Sequence, residues 1–205
     1  MDNIPSKKII WAQIFLIFVL PVLLLYFKIV PTNWRMILLA LSSLFIYGVV
    51  RHEHWTYRDM GVRHDNFKKA LPFYLLFTFL GLVALFLIYY KVSMPREIYN
   101  ELFYMRTFVF FLPSSFFQEF AFRSFLMPRL KIIFNNNYYV IFVDAILFTL
   151  MHIIYFSLGI VLPLVFVAGV FLSWLYSKYP NLVLISLAHS ALNLTAVLLG
   201  FFVIS

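Results

Sequence analysis

The decapeptide Ser114-Ser115-Phe116-Phe117-Gln118-Glu119-Phe120-Ala121-Phe122-Arg123 puts a carboxylate and a guanidinium inside residues 107–128, which otherwise have the composition of a membrane helix. Ionisable groups at that depth are costly unless they are paired or face a polar cavity, and they mark a functional site by default. We therefore expect the rest of the chain to be organised around this segment.

The composition is that of a polytopic membrane protein. Of the 205 residues, 64% are hydrophobic and 12% are charged, and a soluble domain could not bury so much apolar surface. The apolar runs predict spans at residues 9–27, 34–50, 70–90, 107–129, 138–157, 159–177 and 181–204. The predicted fold class is all-α: about seven transmembrane helices around a polar intramembrane pocket, in a single membrane domain, residues 1–205. The chain has no Cys, which excludes a thiol nucleophile.

The net charge of +8 does not indicate nucleic-acid binding, because the basic residues are spread over the predicted loops. Lys and Arg are more frequent in the loops on the side of the N-terminus, which the positive-inside rule assigns to the cytoplasm. We expect an integral protein of the plasma membrane with a cytoplasmic N-terminus, whose basic loops meet the lipid bilayer. Residues 93–105 have the apolar spacing of a short helix on the membrane surface.

Two further segments place polar groups inside predicted spans, namely Phe148-Thr149-Leu150-Met151-His152 and His189-Ser190-Ala191-Leu192-Asn193. At a rise of 1.5 Å per residue, Glu119, His152 and His189 fall roughly 12 to 21 Å from the cytoplasmic helix ends, near the middle of a core about 30 Å thick. This agreement in depth predicts that the fourth, fifth and seventh spans meet around one polar pocket.

Helical spacing predicts which of these groups face each other. Glu119 and Arg123 are four residues apart and can form an ion pair, whereas Gln118 points about 100° away from Glu119. Asp144 lies eight residues before His152, on nearly the same side of its helix. A purely structural interpretation is open for each of them: an ion pair without chemistry, a structural carboxylate, or a histidine that only bonds a neighbouring helix.

At these three segments the sequence resembles the CAAX prenyl protease 2 and bacteriocin-processing (CPBP, or Abi) family of intramembrane glutamic proteases. The family motifs are Glu-Glu-x-x-x-Arg, Phe-x-x-x-His and His-x-x-x-Asn/Asp, on successive core helices. Here they stand at Gln118–Arg123, Phe148–His152 and His189–Asn193. The resemblance covers residues 105–200, the motif-bearing core, whereas residues 1–100 add membrane spans and carry no matching motif.

The resemblance implies an intramembrane endopeptidase acting on a peptide or membrane-protein substrate, possibly a lipidated one. It implies that a glutamate and His152 hold and deprotonate a water, while His189 and Asn193 donate hydrogen bonds to the oxyanion. Support for the site is expected from Arg123, Phe148 and Asp144.

The sequence departs from the family at Gln118, where the family has the glutamate taken as its base. An amide has no carboxylate lone pair that can accept a proton at neutral pH, so Glu119 becomes the expected base. No cofactor is expected; the alternative is a zinc ion held by Glu119, His152 and His189. Two other functions stay open: a catalytically impaired relative acting as a bacteriocin-immunity protein or membrane scaffold, and a proton-coupled transporter that uses the polar cluster as a relay.

Overall fold

The computed structural model describes residues 5–92, 111–155 and 157–202. Within these ranges the chain forms seven helical segments, which are numbered here in chain order. They are α1 (Lys7–Tyr26), α2 (Thr32–His52), α3 (Phe67–Lys91), α4 (111–133), α5 (Asn137–Leu150), α6 (Leu158–Lys178) and α7 (Leu182–Leu198). The described part of the chain is thus an all-helical bundle, which confirms the predicted fold class.

Four of the helices, α1, α2, α3 and α6, are long and apolar enough to cross a membrane by length and composition. Helices α5 and α7 are shorter apolar helices of 14 and 17 residues. Large apolar side chains such as Leu44, Phe79 and Leu87 lie more than half exposed on the outside of the bundle, as expected for a surface in contact with lipid. The helix expected at 93–105 lies outside the described residues, and the orientation of the N-terminus stays a prediction.

Helix α5 ends earlier than the sequence pattern indicates. The span expected at 138–157 is helical only to Leu150, and turns follow. There the backbone N–H of His152 donates to the carbonyl of Thr149 at 2.9 Å, an i to i−3 bond of the kind that tightens and ends a helix. The prediction that His152 lies on the helix itself is therefore wrong, because this residue sits in the turn beyond the helix end.

Helix α7 also ends early, at Leu198 and not near residue 204. Gly200 adopts a φ of 80°, the left-handed conformation that glycine takes without steric cost. The N–H of Phe201 then donates to the carbonyl of Ala196 at 2.9 Å, and the N–H of Gly200 to Val197 at 2.9 Å. These two bonds form a Schellman cap, which terminates the helix.

Helix α4 carries the charged decapeptide and differs from a regular α-helix. Residues 111–119 are α-helical, Phe120–Leu126 are π-helical, and Met127–Ile133 are α-helical again, so the helix continues past the predicted end at residue 129. Short π segments inside α-helices are frequent at functional sites. The wider turn here begins directly after Glu119.

The loop between α2 and α3 packs into the bundle and fixes one end of α4. Nη2 of Arg129, which is almost fully buried, contacts both carboxylate oxygens of Glu53 at 2.7 and 2.6 Å. Trp55 donates to the same carboxylate at 3.1 Å, and the hydroxyl of Ser124 donates to the carbonyl of Met60 at 2.7 Å. These bonds set the position of α4 along its axis and hence the depth of its buried charges.

Candidate active site

Helices α4 and α7 meet at a short contact between Glu119 and His189. Nδ1 of His189 lies 2.6 Å from Oε1 of Glu119, and both side chains are almost completely buried. The other carboxylate oxygen, Oε2, lies 3.1 Å from Nε of Arg123, one turn along α4. Both oxygens of Glu119 are therefore engaged by positively charged or hydrogen-donating groups.

Arg123 is held on several sides inside the bundle. Its Nη1 lies 3.7 Å from Oδ2 of Asp144 on α5, and its Nη2 donates to the carbonyl of Gly169 on α6 at 3.5 Å. The guanidinium carbon lies 4.7 Å from the centre of the Phe148 ring, a distance at which a cation is attracted to an aromatic face. The ion pair expected from the sequence is present, and it extends to a second buried carboxylate.

His152 lies in the turn after α5, where its ring is fixed through Phe148. Its Nδ1 is 2.9 Å from the carbonyl oxygen of Phe148. Because a carbonyl only accepts, Nδ1 carries the hydrogen, and in the neutral ring Nε2 keeps a lone pair. The Phe148 ring also lies between the two histidines, with ring centres 5.2 Å from His152 and 5.4 Å from His189. Phe148 thus positions both imidazoles.

A cavity of about 260 Å³ lies beside these histidines. Its polar lining among the described residues consists of His152, His189 and Asn193. The remaining walls are apolar and include Phe77, Leu80 and Leu85 from α3, Leu164 and Phe171 from α6, and Leu192 from α7. The three polar residues, called here the polar edge of the cavity, adjoin an otherwise apolar wall.

The walls of this cavity differ from the sequence expectation. The fourth, fifth and seventh helices were expected to surround it, but α3 and α6 form much of the wall, and none of its described lining residues comes from α4. Glu119 and Arg123 lie behind His189 and Phe148. Gln118 is half-buried and does not line the cavity, and its buried Oε1 has no hydrogen-bond partner among the described residues.

The zinc alternative requires Glu119, His152 and His189 to reach one ion. Among the residues that the structure describes, no three His, Asp or Glu side chains are grouped so that they could hold a metal ion. Nδ1 of His189 is occupied by Glu119, and Nδ1 of His152 is occupied by a carbonyl. The Nε2 atoms of both histidines keep their lone pairs, so a zinc ion stays an alternative, and no step of the proposed reaction is assigned to a metal.

Two site residues on α6, Gly169 and Ser173, were not identified from the sequence. The Ser173 hydroxyl lies 2.5 Å from Oδ2 of Asp144, and a Cβ added at Gly169 would lie 3.2 Å from the Phe148 ring and 3.3 Å from the Ala145 backbone. Their four-residue spacing in an apolar helix is typical of close helix contacts in membranes. That spacing is the signal that could have found them.

The fold and the site together define a class: an integral membrane helix bundle with a buried carboxylate, arginine and two histidines beside an apolar cavity. Residues 100–195 match the family model described as type II CAAX prenyl endopeptidase, Rce1-like. The resemblance indicated by the three motifs is thereby confirmed for residues 100–195, which are similar to this family of CAAX proteases. Comparison with the curated proteins and with the solved structures found no match.

Proposed function

We propose that the protein is an intramembrane endopeptidase of the CAAX-processing type. The observation that carries the proposal is that His189, backed by Glu119 at 2.6 Å, shares the polar edge of the cavity with His152 and Asn193. The family match over residues 100–195 supports the reaction class. The reaction is hydrolysis of a peptide bond by an activated water.

In the proposed reaction His152 takes the proton from the water. Its Nδ1 hydrogen is engaged by the Phe148 carbonyl, so Nε2 is the nitrogen that can accept a proton. The water oxygen attacks the carbonyl carbon of the scissile bond as its proton moves to Nε2. The protonated imidazole then gives this proton to the leaving amine, which restores the neutral ring.

Asn193 and His189 provide the groups that stabilise the oxyanion of the tetrahedral intermediate. The amide of Asn193 donates directly, and His189 donates through Nε2 when its ring is protonated. Glu119 stabilises that protonated ring, because its carboxylate lies 2.6 Å from Nδ1. This role differs from the direct base expected from the sequence, since both oxygens of Glu119 are already engaged.

The cavity also favours a class of substrate. Apart from its three polar residues, the described lining is apolar and aromatic, which suits an apolar or lipidated peptide segment and not a charged one. We propose a membrane-associated peptide or protein substrate, cleaved by an enzyme of the plasma membrane whose N-terminus is cytoplasmic. The Lys and Arg distribution of the loops supports this orientation.

A second function is favoured by one residue, Gln118. The family places a carboxylate there, and an amide cannot act as a base. A catalytically impaired relative, acting as a bacteriocin-immunity protein or a membrane scaffold, would bind a peptide in the same cavity without cleaving it. The proton-coupled transporter has less support, because the described cavity wall is mainly apolar.

The test is cleavage by the purified protein in liposomes. The probe is a fluorogenic peptide that ends in a farnesylated cysteine and three further residues, compared with the same peptide without the lipid. We expect the wild type to cleave it, and His152→Ala to abolish cleavage, while His54→Ala in the α2–α3 loop leaves cleavage unchanged. Binding of the peptide without cleavage would favour the impaired relative.

A further inference from the structure

Asp144 is a second buried carboxylate beside the Glu119–His189 contact. Its Oδ2 lies 3.7 Å from Nη1 of Arg123 and 2.5 Å from the hydroxyl of Ser173. The side chains of Arg123, Glu119 and Asp144 are fully buried. One guanidinium therefore faces two carboxylates, Glu119 through Nε and Asp144 through Nη1.

Ser173 connects this second carboxylate to α6. Its Oγ lies 2.7 Å from the carbonyl of Gly169, one turn earlier in the helix. The same carbonyl accepts a bond from Nη2 of Arg123. Helix α6 thus holds both Asp144 and the far end of the guanidinium.

With Nη1 and Nη2 in contact with α5 and α6, the guanidinium meets Glu119 through a single nitrogen. Arg123 presents only Nε to Oε2, and this leaves Oε1 for His189. A guanidinium and a carboxylate favour a two-bond fork, which would bring a second N–H to Oε1, the oxygen that His189 contacts. In the structure Nη1 and Nη2 instead contact Asp144 and the Gly169 carbonyl.

We propose that Asp144 and Ser173 are positioning residues that hold Arg123 across two carboxylates and so reserve Oε1 of Glu119 for His189. Neither residue is among those lining the cavity, so they act through Arg123 and not on the substrate. Their effect on the rate rests on the proposed protease function, whereas their effect on His189 does not.

The state of His189 can be measured without a substrate. In protein labelled with ¹⁵N-histidine and held in detergent micelles, the ring nitrogens give resonances, and the variant His189→Gln identifies those of His189. Asp144→Asn keeps the size of the side chain but removes the charge that faces Arg123. We expect the Nδ1 resonance of His189 to move in Asp144→Asn and in Ser173→Ala, in the same direction as in Glu119→Gln.

Matched controls exist for both substitutions. Asp59 is a loop carboxylate that accepts from Thr56, and Ser177 is a serine one turn further along α6 that donates to the Trp174 carbonyl. Asp59→Asn and Ser177→Ala should leave the His189 resonance in place. An unchanged resonance in folded Asp144→Asn and Ser173→Ala proteins would overturn the proposal. If Asp144→Asn does not fold, the His189 resonance in the milder variant Ser173→Ala tests the proposal by itself.

Cleavage kinetics give a second readout. We expect kcat for the farnesylated peptide to fall about tenfold in each variant, because His189 is displaced from its catalytic position. We expect KM to stay unchanged, because the residues that bind the peptide are not altered. The double variant Asp144→Asn/Ser173→Ala should fall no further than Asp144→Asn, since Ser173 acts through Asp144. A reduced folded fraction with unchanged kcat per folded molecule would contradict the positioning role. If the wild type does not cleave the farnesylated peptide, the proposed protease function fails. The His189 resonance then still tests whether Asp144 and Ser173 position Arg123.

Discussion

Glu119 and His189 are 70 residues apart in the sequence, and the fold joins Oε1 of one to Nδ1 of the other at 2.6 Å. The contact runs between α4 and α7, and it lies between Arg123 on one side and the cavity on the other. A buried carboxylate between a guanidinium and an imidazole couples the charge of the bundle interior to the cavity wall. Each partner in this coupling can be changed separately by substitution.

Glu119→Gln tests the carboxylate as the partner of His189. The amide can still accept a hydrogen bond from Nδ1, but it carries no charge to stabilise a protonated imidazole. We expect kcat to fall by about 10²- to 10³-fold, as when an oxyanion stabiliser is lost, with little change in KM. Asp65→Asn, which removes a carboxylate charge at the surface outside the site, is the control. Full activity in Glu119→Gln would remove Glu119 from the mechanism.

Arg123→Ala tests the buried ion pair through stability. The substitution leaves the carboxylates of Glu119 and Asp144 buried without their cation, and loss of one partner of such a pair costs about 3–5 kcal/mol. Arg58→Ala is the matched comparison, because Arg58 pairs with Asp65 on the surface, where a pair is worth about 1 kcal/mol or less. Thermal unfolding in detergent measures both variants. Equal melting temperatures for the two would show that the Arg123 pair does not stabilise the fold.

The charged pair and the helical class were predictable from the sequence because both follow from local spacing. Glu119 and Arg123 are four residues apart in an apolar run. They therefore lie on the same face of the helix, independently of how the other helices pack. Depth counting correctly placed His189 near Glu119, since a helix advances by a fixed rise. The early end of α7 has a local signal as well, because Gly200 can adopt the left-handed conformation that caps a helix.

The walls of the cavity could not be predicted in the same way. Helices α3 and α6 are apolar on all sides, so hydropathy does not reveal which face turns inward. Ser173 looks like any serine of a membrane helix until Asp144, 29 residues away, is brought against it. The residues of α3 and α6 that reach the site therefore depend on long-range packing between helices and not on the local sequence pattern.

Gly169→Ala tests the close contact between α5 and α6. The new methyl group would lie 3.2 Å from the Phe148 ring and 3.3 Å from the Ala145 backbone, so the two helices or the ring must shift. Overpacking of this kind costs about 1–3 kcal/mol, and the shift of Phe148 should also lower kcat. Gly159→Ala is the control in the same helix, because its Cβ meets nothing within 4 Å. Similar stability and activity of the two variants would mean that the contact tolerates a methyl group.

Gln118→Glu tests the position at which the family has its base. If catalysis runs through His152 with Glu119 as the partner of His189, a second carboxylate at Gln118 is unnecessary, and wild-type protein should cleave the farnesylated peptide without it. The added charge should then reduce stability, because Oε1 of Gln118 is buried without a partner among the described residues and a charge there is costly. Cleavage is measured for wild type and Gln118→Glu in liposomes, each with and without a metal chelator. Cleavage by Gln118→Glu alone would identify the wild type as a catalytically impaired relative. Loss of wild-type cleavage with chelator, restored by zinc, would instead require a metal bound in an arrangement of Glu119, His152 and His189 different from the one described.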